Sequence, residues 1–98
     1  MSELDKLEQY LVANGFKFKR NDEQDVKAEN GLIVHLDKHQ IVVYDKHGNY
    51  IWDAICHRGS YGFEKGLLEI MGTIVSHDVG DSVEGWLTAQ DIIDRLEA

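Results

Sequence analysis

The sequence predicts an α+β fold: an N-terminal helix, a three- to four-stranded antiparallel sheet, and two C-terminal helices packed on that sheet. Three observations predict it. Leu4, Leu7 and Leu11 open the chain at helical spacing. Apolar segments then crowd residues 31–56, separated by short turn-forming stretches. Helical stripes return toward the C-terminus, so helices and strands are segregated along the chain, the pattern of an antiparallel sheet with helices on one face. The 98 residues make a single α+β domain, 1–98, with one modest core.

The first helix is predicted over 3–14. Ser2 is a good N-cap, Asp5 places an acid in the first turn, and Gly15 is a natural stop. "FKFKR" (16–20) alternates apolar and basic residues and reads as a half-buried strand. "NDEQDVKAEN" (21–30) is polar, a loop or a loop with a short strand at 25–29. "GLIVHL" (31–36) and "HQIVVYD" (39–45) read as strands joined by an Asp37-Lys38 turn, which puts Leu32, Val34, Leu36, Ile41 and Val43 on the core face. "KHGN" is a turn with Gly48 at positive φ, and "YIWDAIC" (50–56) is the next strand.

Phe63, Leu67, Ile70 and Met71 recur at i, i+4, i+7 and i+8, which predicts a helix over 61–71 ended by Gly72. In residues 73–87, Val75, Val79, Val83 and Trp86 are expected to tuck onto the core. Thr88 then caps a last helix with Asp91 in its first turn and Ala89, Ile92, Ile93 and Leu96 as its stripe.

Composition narrows the function. The chain has no proline, which removes polyproline ligands and linkers. No apolar run reaches the ~20 residues a bilayer requires, and the acidic start lacks signal-peptide character, so a cytoplasmic protein with no membrane association is expected. Cys56 stands alone and has no internal disulfide partner. Net charge is −8: residues 1–72 hold 12 acids and 9 bases, and residues 73–98 hold 6 acids against Arg95 alone. That balance argues against direct nucleic-acid binding and fits a protein partner or plain solubility.

The chemistry-bearing residues gather at one strand-to-helix corner. Asp53 interrupts an apolar strand between Ile51 and Ile55, and a carboxylate there must reach solvent or a partner. His57, Arg58 and Ser60 follow within eight positions of it, with Ser60 where a helix N-cap belongs. Tyr61 and Trp86 lie in loop-like surroundings, and both types serve as interface anchors. These six residues are the candidate binding set; none is assigned a catalytic role. Cys56 and His57 are adjacent in a strand, so their side chains diverge. His35 and His39 fall on opposite faces of the expected hairpin and do not converge on a metal. "DVGDSVEG" lacks the ligand pattern of a calcium loop. The glycines 59, 62 and 66 match neither a dinucleotide fingerprint nor a P-loop. No metal or cofactor is therefore expected, and the reading leans away from an enzyme.

Four segments also carry a resemblance: Trp52-Asp53-Ala54, Gly59-Ser60-Tyr61-Gly62, Gly66-Leu67-Leu68-Glu69, and Val83-Glu84-Gly85-Trp86-Leu87-Thr88-Ala89. Together they make roughly residues 40–96 similar to small uncharacterised proteins encoded by phages and prophages of Gram-positive bacteria. The resemblance implies a phage setting, a Gly-Leu-Leu-Glu helix, and no particular activity. It favours a non-enzymatic module that binds a host or phage protein. Two rivals stand beside it: a small ligand-binding or catalytic domain at Asp53, His57, Arg58 and Ser60, and an acidic DNA mimic. A second apolar face, with Ile33, Val42, Tyr44, Ile51 and Ile55, keeps a homodimer open.

Overall fold

The computed structural model describes residues 1–34, 37–76 and 82–98, except the side chain of Val34. Helix α1 (Glu3–Ala13) starts at a capping box, in which Ser2 Oγ accepts from the Asp5 amide and the Asp5 carboxylate accepts from the Ser2 amide, each at 3.0 Å. The strands follow as β1 (Lys17–Glu23), β2 (Val26–Lys27), β3 (Ile33–Val34), β4 (Lys38–Tyr44), β5 (Tyr50–Ile55), β6 (Leu68–Gly72) and β7 (Val83–Leu87). Helix α2 (Ala89–Leu96) closes the chain on a second capping box, between Thr88 and Asp91.

Five of these strands form one antiparallel sheet in the order β1-β4-β5-β6-β7, and β2 and β3 form a separate two-stranded hairpin. Both helices cover the same sheet face. Leu4, Leu7 and Leu11 from α1 and Ala89 and Ile92 from α2 meet Ile41, Val43, Trp52, Ala54, Leu68, Ile70 and Leu87 from the strands. Burying each large apolar side chain here contributes roughly 1.5–3 kcal/mol. Glu3 Oε1 accepts the Ala89 amide at 2.7 Å and ties the two helix starts together.

The sheet has five strands where three or four are expected, because residues 68–72 and 83–87 are strands, and two further departures from the sequence reading follow from backbone geometry. The helix predicted over 61–71 does not form. Gly62 and Gly66 sit at φ 98° and 69°, left-handed values that end any right-handed helix, and only a 3-10 turn (Phe63–Lys65) lies between them. Leu68 and Ile70 then face the core in alternation as β6, so the Gly-Leu-Leu-Glu segment runs from a turn into a strand and is not helical. The hairpin expected around Asp37-Lys38 is also absent. β3 pairs with β2, while β4 takes β1 on one side and β5 on the other. Leu32 is consequently exposed, and Leu36 and His35 lie outside the described residues.

The β4–β5 ladder carries an extra residue in β5 beside the Val43/Tyr44 step. The bulge turns Ile51 onto the core and leaves Tyr50 and Asp53 on the open sheet face, where the Tyr50 hydroxyl donates to Asp53 Oδ1 at 2.5 Å. Ile33 belongs to the separate hairpin. The continuous apolar face expected from Ile33, Val42, Tyr44, Ile51 and Ile55 is therefore broken at two of its five members.

Candidate functional site

The corner between β5 and β6 is stitched by its own backbone. Ser60 Oγ accepts the His57 amide at 3.0 Å and donates to the His57 carbonyl at 2.7 Å, so Ser60 closes a turn and caps no helix. The amides of Phe63, Lys65 and Leu67 donate to Ser60 and Gly62 carbonyls at 2.9–3.1 Å. Glu69 Oε1 accepts the Tyr61 amide at 3.0 Å and fastens the corner to β6.

The same corner lies against β7. The Trp86 amide donates to the Tyr61 carbonyl at 3.3 Å. Approach is close enough to require glycine on both sides. A Cβ on Gly85 would stand 2.3 Å from Tyr61 Cβ, and one on Gly62 would stand 3.2 Å from Trp86 Cα. Trp86 itself has φ 62°, the one non-glycine at positive φ among the described residues. For a bulky residue that conformation costs about 1–2 kcal/mol. The side chain it displays is not buried in return: Trp86 is 54% exposed and Tyr61 is 55% exposed. The expectation that Trp86 joins the core is thus corrected. Val75 does pack against the core, and Val79 lies outside the described residues.

The other four candidates are each engaged separately. Asp53 accepts from Tyr50 and, at 3.0 Å, from Gln40 Nε2. The Tyr50 hydroxyl is pushed above its ordinary range by partial burial and by that carboxylate. His57 Nδ1 accepts the His39 amide at 3.0 Å. Arg58 forms an ion pair with Asp25 of the segment before β2, and its guanidinium lies 5.7 Å from the Phe63 ring centroid. The structure brings Tyr61 and Trp86 together and spreads the Asp53, His57, Arg58 and Ser60 side chains over different neighbours.

One cluster was not anticipated. Phe18, Arg20 and Asp22 alternate onto the helix-bearing face of β1, opposite Val43, Ile41 and His39. Asp22 and Asp37 each lie 2.7 Å from a ring nitrogen of His39, an arrangement only the imidazolium satisfies in full. The Asp22 bond, followed against partial burial by the Asp37 bond, raises the His39 pKa. The His57 pKa shifts the other way, lowered by burial, with Lys38 and His39 adding to the shift. Arg20 reaches Asp5, Glu8 and Asp22 at 2.8–3.0 Å. Asp5, Arg20, Asp22 and His39 border a cavity of about 340 Å³ that Leu4, Cys56 and Leu68 also line. Burial, reinforced by Asp37, raises the Cys56 thiol and keeps it protonated. With both ring nitrogens of His39 taken, no base faces that thiol from His39. The strand period of F-K-F-K-R-N-D places Arg20 and Asp22 on the face of Phe18, but it does not identify the His39 they meet there.

Among the described residues no group of three or more His, Cys, Asp or Glu could hold a metal ion, and no helix is long and apolar enough to cross a membrane. No protein-family model, curated protein or solved structure matches this chain.

Proposed function

We propose that the protein is a non-enzymatic interaction module of phage or prophage origin. It acts in the bacterial cytoplasm by binding a host or phage protein through the Tyr61–Trp86 surface. The observation that carries the reading is Trp86, a bulky residue held in a left-handed conformation while 54% exposed. Strain of this kind is retained where surrounding structure imposes it, and it clusters at sites that contact ligands. Tyr and Trp are also the side chains most enriched at interface hot spots. The phage setting rests on the resemblance, whose Gly-Ser-Tyr-Gly and Val-Glu-Gly-Trp segments are the two that meet here.

The acidic-mimic reading has less support. Glu84 is held bidentately by Arg95 at 2.7–2.8 Å, Asp91 caps α2, Asp94 accepts from Gln90, and Glu97 accepts from Tyr10 at 3.3 Å. Those acids are committed to local structure, and Asp78 and Asp81 lie outside the described residues. A ligand-binding reading draws on the cavity beside His39 in place of the Asp53, His57, Arg58 and Ser60 set.

The test is affinity capture from a bacterial host lysate with the native chain and with a Tyr61→Ala/Trp86→Gly variant of matched thermal stability. One protein enriched by the native chain and lost with the variant is the expected result. Equal capture by both would overturn the site.

A further inference from the structure

β1 is an edge strand, and among the described residues no backbone group pairs with its outer side. The pairing register identifies the groups that line it. The His39 carbonyl accepts from Cys56 at 2.8 Å and the Asp45 amide donates to Asn49 at 2.8 Å, so odd-numbered residues of β4 turn their backbone toward β5. Even-numbered residues of β4 therefore turn toward β1, where Lys17, Lys19 and Asn21 answer them. The N–H and C=O groups of Phe18, Arg20 and Asp22 are left facing outward.

Proteins ordinarily block such an edge with a bulge, a proline or repelling charge. β1 has no proline and pairs with β4 over seven residues without a register shift. It does carry charge, but the sign reverses midway: Lys17, Lys19 and Arg20 come first, Asp22 and Glu23 last. A strand of one sign repels every copy of itself. A strand that runs from positive to negative repels a parallel copy and attracts an antiparallel one. The other edge of the sheet offers no such template, because β7 is irregular at Trp86 and gives its amide to Tyr61.

We propose that β1 is the dimerisation strand of this protein, pairing antiparallel with β1 of a second copy about a two-fold axis at Asn21. This register opposes Lys19 to Glu23 of the partner on the open face and Arg20 to Asp22 of the partner on the helix face. It uses the outward backbone groups of Arg20 and Asp22 and joins two five-stranded sheets into one. Pairing about Arg20 would set two guanidinium groups opposite each other, and like charges directly opposed destabilise a sheet. The proposal is independent of the Tyr61–Trp86 surface, which lies at the opposite edge.

Sedimentation velocity on the purified full chain over a concentration series tests it. Lys19 and Glu23 are exposed, so their replacement leaves the core alone, and thermal melts verify the fold. The native chain is expected to dimerise reversibly. Lys19→Glu and Glu23→Lys are each expected to weaken the dimer about tenfold, from two symmetric repulsive contacts. The double variant restores opposite charges at both contacts and is expected to return to within about threefold of the native affinity. A chain that stays monomeric up to millimolar concentration overturns the proposal, including the case where this edge takes a strand from another protein. So does a dimer indifferent to the single changes, or one that the double change fails to rescue.

Discussion

The two edges of the sheet are built on opposite plans. At β7 the corner 57–66 folds against the strand, glycines at 62 and 85 allow main chains to meet, and the backbone is bent at Trp86 to hold an aromatic in solvent. At β1 the strand is regular, its ladder is unbroken, and of its side chains only Phe18 packs on the core. The difference shows that exposure alone does not define a site. Lys19 and Trp86 are both exposed, but only Trp86 is exposed against a conformational penalty.

The largest expected effect breaks the closed edge. Gly85→Ala puts a methyl group into Tyr61 and should lower stability by about 2–3 kcal/mol, read as a fall in Tm of order 10 °C. An exposed change at the open edge, Asn21→Ala, should stay within about 0.5 kcal/mol. Next comes relief of strain. Trp86→Gly accepts the left-handed backbone freely and should raise stability by about 0.5–1 kcal/mol in denaturant titrations, while capture of the partner is lost. A loss of more than about 1 kcal/mol would mean that the indole ring packs for stability and that its exposure serves no contact.

A smaller effect is set by pH. Because the folded state raises the His39 pKa, its contribution is complete below the unfolded value of 6.5 and is lost as pH rises through the folded pKa. The folded state lowers the His57 pKa, so its contribution is present above 6.5 and is lost as pH falls through the folded pKa. Tm should therefore decline on both sides of a window that contains pH 6.5. His39→Gln should remove the alkaline decline and leave the acidic one. An unchanged alkaline limb in that variant would show that the Asp22 and Asp37 contacts do not hold the proton.

Local chemistry made the helix starts legible. Ser2 with Asp5 and Thr88 with Asp91 read in the sequence as an N-cap with an acid in the first turn, and the structure closes each pair into a capping box because its residues are three apart. The β4–β5 turn was legible for the same reason, with Gly48 at φ 85°. The 61–71 segment was misread because its apolar residues fit helical and strand periods alike, and the left-handed glycines that decide between them act through backbone conformation. The pairing of β1 with β4 was hidden because K-F-K-R-N-D-E has little apolar alternation after Phe18. Its partner could be recognised only in three dimensions, and with it the Arg20–Asp22–His39 cluster. Of the candidate site, Tyr61 and Trp86 were legible as residue types, while the close approach of Gly85 to Tyr61 emerges only from the fold.

Amide hydrogen exchange measured residue by residue tests the contrast most directly. In dilute protein the Trp86 amide, bonded to the Tyr61 carbonyl, should exchange slowly, and the Arg20 amide, facing outward from β1, should exchange fast. Raising the concentration should slow Arg20 and leave Trp86 unchanged. A Trp86 amide as fast as Arg20 at every concentration would mean that the corner does not close β7, and the account of the aromatic surface would fail with it.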